Sequence, residues 1–170
     1  AAFEAGHRLR PRFRGWRGEL LGLGVLAFAG TLATVYAAGV VIRTPNLTIQ
    51  SYTGETAKIA SSNTNSGVQV AVDLAQTADN VTLKNLDISG GYYYAIKTES
   101  AWYENVRGDA STGLTILNCK IHDSGDAVVK LTPGSDHITI SKSEIYNSGR
   151  RAPDSAEGVD SVNASYLMIS

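Results

Sequence analysis

One four-residue pattern recurs along this chain, and its recurrence governs what the chain can fold into. Asn46-Leu-Thr-Ile is followed by Asn80-Val-Thr-Leu, Gly113-Leu-Thr-Ile, His137-Ile-Thr-Ile and Tyr166-Leu-Met-Ile, at intervals of 34, 33, 24 and 29 residues. Repetition at such a period marks units that must stack, because none can bury its apolar face alone. Behind three copies comes a second short alternation ending in Gly: Leu86-Asp-Ile-Ser-Gly, Cys119-Lys-Ile-His-Asp-Ser-Gly and Ser143-Glu-Ile-Tyr-Asn-Ser-Gly. A third lies ahead of each copy, at 40–43, 68–74, 94–99, 127–131 and around Val159. Apolar and polar residues alternate at period 2 in these segments, and no helical period separates them.

Three tiny strands per unit predict a chain wound so that equivalent strands lie parallel on successive turns. The expected fold is therefore all-β, a single-stranded parallel β-helix of about four to five coils over residues 38–170. Joins such as Lys84-Asn85 and Leu117-Asn118 leave about two residues for a corner, and Asn tolerates the left-handed backbone a tight corner needs. An antiparallel sandwich is the rival, but its two-residue hairpin signals, Asn-Gly and Asp-Gly, are absent. Alternation assigns Val68, Val70, Val72, Leu74, Val81, Leu83, Leu86, Ile88, Leu114, Ile116, Ile121, Val129, Leu131, Ile138, Ile140 and Ile145 to the interior. Composition agrees: 43% of residues are apolar, enough for a core, and Gly, at 17 residues, is plentiful. The single Cys119 has no thiol partner and no companion ligand, so disulfide and zinc readings fail on count.

The first 37 residues differ from the rest. Arg8, Arg10, Arg12, Arg14 and Arg17 precede a stretch, 20–42, without one charged side chain, which is the order of an export signal. Val35, Tyr36 and Ala37 suit a cleavage site, and the reading implies a secreted, extracellular or periplasmic protein. A membrane anchor is the competing reading, and a leader read in a wrong frame or from a truncated gene is a third. A C-terminal truncation is also expected, because the chain stops at Ser170 inside a strand. Beyond the leader the cations are scattered singly apart from Arg150 and Arg151, so no nucleic-acid surface is expected. Membrane contact would come only through the apolar segment, if retained, and a monomer is expected.

In its recurring form, strand then N-V-T-I then x-N-x then I-x-x-S-G, the chain from about residue 38 to 170 resembles the right-handed parallel β-helix superfamily, the pectate-lyase-like fold. The unit Cys119-Lys-Ile-His-Asp-Ser-Gly-Asp-Ala-Val-Val-Lys130 is similar to the central coils of secreted polysaccharide lyases. The resemblance implies action on uronic-acid polymers such as pectin or alginate, often with calcium, the proton alpha to the carboxylate being removed by a Lys or Arg. Glycoside hydrolysis and epimerisation are the other chemistries of such a scaffold. A non-catalytic, adhesin-like glycan-binding module, and an incomplete fragment without independent activity, are the alternatives.

A uronate lyase must neutralise the substrate carboxylate and set a base beside it. The outward residues of one strand column, Asp73, Lys97 with Glu99, Lys130 and Asp160, fall one coil apart, about 4.8 Å. Lys130, Lys97 and Arg151 are the candidate catalytic groups, and Arg150, Tyr93, Tyr94 and Trp102 the candidates for holding sugar. Asp123, Asp126, Asp160 and Glu157 are the candidate calcium ligands. Each has a plainer reading. Outward lysines are solvated on any solenoid, Asp beside Gly or Ser serves turns, the aromatic cluster can act as a lid, and His122 and His137 suit surface corners.

Overall fold

The computed structural model describes residues 39–100 and 110–170, with the backbone of 25–28 and 34–35. Trp102 and most of the expected leader lie outside these residues. Among the described residues the regular structure is short strand, apart from one 3-10 turn at Pro153–Ser155.

Among the described residues sixteen strands fall into three sheets, and every third strand joins the same sheet. The first contains β1 (Val25–Phe28), β4 (Thr48–Ser51), β7 (Thr82–Lys84), β10 (Thr115–Leu117), β13 (Asp136–Ser141) and β16 (Ser165–Ile169). The second contains β2 (Thr34–Val35), β5 (Ala57–Ala60), β8 (Leu86–Ser89), β11 (Lys120–His122) and β14 (Glu144–Tyr146). The third contains β3 (Val40–Ile42), β6 (Val70–Leu74), β9 (Tyr94–Thr98), β12 (Val129–Leu131) and β15 (Val159–Ser161). Every pairing between named strands is parallel, which excludes the hairpin-built sandwich and is consistent with a parallel β-helix. β1 and β2 fall inside the segment expected to be leader and pair with β4 and β5. Among the described residues no helix is long and apolar enough to cross a membrane.

The repeat's first position is a corner with left-handed backbone. Asn46, Asn80, Gly113, His137 and Tyr166 have φ of 57, 53, 68, 52 and 50°. Its varied side chains share a backbone requirement, one that Gly and Asn meet most cheaply. The next corner repeats the device at Asn85, Asn118 and Lys142, with φ of 55, 52 and 50°. Stacked corners let amides bond along the coil axis: Asn80 Nδ2 donates to Asn46 Oδ1 at 3.2 Å and Asn118 Nδ2 to Asn85 Oδ1 at 2.9 Å. Lys142 interrupts the second ladder with a residue for which left-handed backbone costs about 1 kcal/mol. Lys142→Asn is accordingly expected to raise stability by roughly 0.5–1 kcal/mol, read as a higher urea midpoint at unchanged slope.

Inward side chains stack in columns. Ile49, Leu83, Ile116 and Ile140 follow one another down the first sheet, and Ile59, Ile88, Ile121 and Ile145 down the second. Nearly all the expected core is buried, but Val70 and Ile145 are only partly so. Val70 opens its strand, and Ile145 belongs to β14, which has a neighbour on one side alone. Thr98 is an inward polar residue that alternation leaves unexplained. It is satisfied within the core: its Oγ1 accepts from the Thr132 amide at 3.0 Å and meets Ser135 Oγ at 2.8 Å.

Candidate functional site

The outward stripe of the third sheet is assembled by register alone. Asp73 pairs with Lys97, Lys97 with Lys130, and Lys130 with Asp160. Adjacent rungs therefore carry carboxyl, ammonium, ammonium and carboxyl, with both lysines in the middle. Each lysine is held from the side: Lys97 Nζ lies 2.6 Å from Glu99 Oε1, and Lys130 Nζ donates to Asp160 Oδ2.

The stripe is not the solvated face that its polarity suggests. Lys130 is 6% exposed, and Ala71, Ala95 and Val128, on the same face one step earlier, are fully buried. Because the ammonium is covered, its pairing with Asp160 is obligatory: a buried charge stripped of its partner costs about 3–5 kcal/mol.

Asp73 marks the other end. Burial, then the nearby Glu99 carboxylate, pushes its carboxyl up from 3.8 to about 7, against the opposing pull of Lys97. A hydrogen bond with Glu99 helps hold the proton, and Asp73 Oδ1 is buried without any partner. Two carboxyls here share what one proton can satisfy.

At the N-terminal end of the stripe stand the tyrosines. Tyr92 and Tyr93 meet edge to face with centroids 4.9 Å apart, and Tyr93 and Tyr94 lie 6.0 Å apart. Burial, then the charges of Asp126 and Asp160, with Tyr93 and Glu157 behind them, raises the Tyr94 phenol above its ordinary value. Arg151, a candidate catalytic group, is held as a clasp. Its guanidinium sits 4.4 Å over the Tyr92 ring and 5.0 Å over Tyr93, Nε donates to the Tyr92 carbonyl at 3.1 Å, and Nη2 donates to Asp126. Gly125 permits this closeness, since a Cβ there would collide with the Tyr92 carbonyl.

Lys97, Lys130, Asp160, Asp126, Glu157, Tyr93, Tyr94 and Arg151 therefore share one neighbourhood. Asp123 and Arg150 do not. Asp123 bonds His122 Nδ1 at 2.7 Å and Asn147 Nδ2 at 3.2 Å, with Arg150 Nε 3.9 Å away. Nor are the four expected calcium ligands gathered: Asp123 faces His122, Asp126 faces Arg151 and Asp160 faces Lys130. Among the described residues no group of three or more His, Cys, Asp or Glu side chains is placed to hold a metal ion, whereas calcium takes six to eight oxygens.

Sequence reasoning took His122 for a surface corner residue. It lies between two carboxylates, Asp87 Oδ1 at 2.9 Å from Nε2 and Asp123 Oδ2 at 2.7 Å from Nδ1, and stacks on Tyr146 at 4.7 Å. The signal was present in the repeat: aligning Leu86-Asp-Ile-Ser with Cys119-Lys-Ile-His puts Asp87 diagonally beside His122.

The chain matches no protein-family model, and no curated protein or solved structure shows significant similarity to it.

Proposed function

We propose that residues 39–170 belong to a right-handed parallel β-helix of the pectate-lyase-like superfamily, and that the protein is exported and cleaves a uronic-acid polymer by β-elimination at the third-sheet stripe. The right hand follows from the general preference of parallel crossovers. The observation that carries the chemistry is the placing of Lys97 and Lys130 on adjacent rungs, each held by its own carboxylate.

Lys97 neutralises the substrate carboxylate and so acidifies the alpha C–H. Lys130 passes a proton to Asp160 and takes the alpha proton as a neutral amine. The freed electron pair forms the new C=C bond and the glycosidic C–O bond breaks. The departing oxygen receives the proton from Asp160, so charge and protons balance. Arg151 positions Tyr92, Tyr93 and Asp126 without touching the reacting atoms. No step requires a metal.

Incubation with polygalacturonate or alginate tests the reading, because elimination leaves an alkene conjugated to the carboxylate, seen as ultraviolet absorbance. Lys130→Met is expected to lower that rate about a hundredfold or more while circular dichroism is retained. An unchanged rate in the folded variant removes Lys130 from the mechanism.

The carboxyl pair Asp73 and Glu99 supports a second reading, hydrolysis. Asp73, kept protonated to about pH 7 by burial, is the kind of carboxyl that can donate a proton to a glycosidic oxygen. That reading predicts new reducing ends without ultraviolet absorbance, abolished by Asp73→Asn. Retention of either polymer with no turnover of any kind supports the non-catalytic, adhesin-like module instead.

A further inference from the structure

A second polar site lies at the corner between the first and second sheets, away from the stripe. Its origin is a mismatch of corner lengths. From β4 to β5 the chain uses five residues, 52–56, whereas β7 to β8 uses Asn85 alone, β10 to β11 uses two residues and β13 to β14 uses two. The longer loop stands out as a wall, and the tight corners of the next three coils form a floor beside it. The resulting cleft has a volume of about 400 Å³, within the range of small-molecule sites.

The floor presents one polar tip per coil: Asn85, Asn118 and Lys142. Within the ladder Asn118 Nδ2 is spent on Asn85 Oδ1, so the Asn85 amide hydrogens and Asn118 Oδ1 are the donor and acceptor that this bond does not use. The wall contributes Tyr52, which is 51% exposed, a flat apolar ring with a hydroxyl at its tip. Charge in the cleft is balanced, since Lys120 and Lys142 are matched by Glu55 and Glu144, and Lys120 already lies 3.7 Å from Glu144. A charged ligand gains little there.

We infer that this cleft binds a neutral, extended oligosaccharide, its hydroxyls on the Asn85 and Asn118 amides and one ring face on Tyr52. Sugar hydroxyls need donors and acceptors in alternation, and their C–H faces need an aromatic partner. Successive units of an extended glycan advance by nearly the rise of one coil, so a polymer meets the same amide on each rung. The site lies on a different face from Lys97 and Lys130, and its occupancy does not require that stripe to be catalytic.

The test is a titration of the full chain with cellotriose, xylotriose and trigalacturonate, following the side-chain amide signals of Asn85 and Asn118 by NMR. Saturable shifts of these signals are expected with at least one neutral trisaccharide, at a Kd of about 1 mM or tighter. Asn118→Gly, which keeps the left-handed corner while deleting the amide, and Tyr52→Ala on the exposed wall should each weaken binding about tenfold. Lys130→Met should leave it unchanged whether or not elimination is lost. The inference is overturned by absence of saturable shifts with both neutral sugars, by binding that survives both cleft variants, or by tighter binding of trigalacturonate than of either neutral sugar.

Discussion

Asp73→Asn is expected to make the protein more stable at pH 8, by up to about 4 kcal/mol, and to leave it little changed at pH 4. The reason is the cost of ionising a carboxyl that is buried beside Glu99 and has one oxygen without a partner. Its folded-state value, about 7, lies above the ordinary 3.8, so between these pH values the folded protein binds more protons than the unfolded chain. Stability from this group is therefore full below about pH 4, declines as pH rises, and is gone above about 7. An amide has no proton to lose and can donate to Glu99, so the variant loses the decline. Urea midpoints measured from pH 4 to pH 8 check this: the gap between variant and wild type should widen with pH. A gap that stays constant would mean that Asp73 ionises as an ordinary surface carboxyl.

Ile116→Ala should cost about 4 kcal/mol, a large share of the roughly 5–15 kcal/mol available to a domain. Ile116 is fully buried between Leu83 above and Ile140 below. The vacated space borders coils on both sides, and neither can collapse into it without breaking its own ladder. Because each coil is stabilised chiefly by its neighbours, the loss should weaken the middle of the stack and lower the cooperativity of unfolding. Ile145→Ala is the internal comparison. That side chain is only partly buried, on a strand with one neighbour, and its removal should cost about half as much. Equal penalties would contradict the picture of a core densest at its centre.

Both predictions touch function. If Asp73 takes part in hydrolysis, Asp73→Asn will gain stability and lose activity together, as happens when strain is kept at a working site. If elimination at Lys130 is the reaction, the same variant gains stability and keeps its ultraviolet product.

The strand positions could be read from the sequence because alternation is a local property. The third-sheet segments expected at 40–43 and 94–99 appear as Val40–Ile42 and Tyr94–Thr98. The column Asp73, Lys97, Lys130, Asp160 could be read for the same reason: once strands stack in parallel, equal positions in successive repeats become neighbours. What alternation cannot carry is the state of those side chains. It places Lys130 outward, but its burial depends on what lies over the face. It places Asp73 and Glu99 on one side, but their sharing of a proton is a matter of desolvation. Arg151 was a candidate catalytic group, and its partners Tyr92 and Asp126 lie 59 and 25 residues away, beyond the reach of any local pattern.

The sequence by itself determined the period, the corners and the residues that face inward, because a left-handed Asn or Gly and an alternating strand are each fixed by neighbours along the chain. Tertiary structure alone decided which charges are covered, which carboxyls face each other, and how a five-residue corner beside three tight ones leaves a cleft. Those outcomes depend on where loops of unequal length come to rest over a regular stack, and such loops carry no repeat from which their resting place can be read.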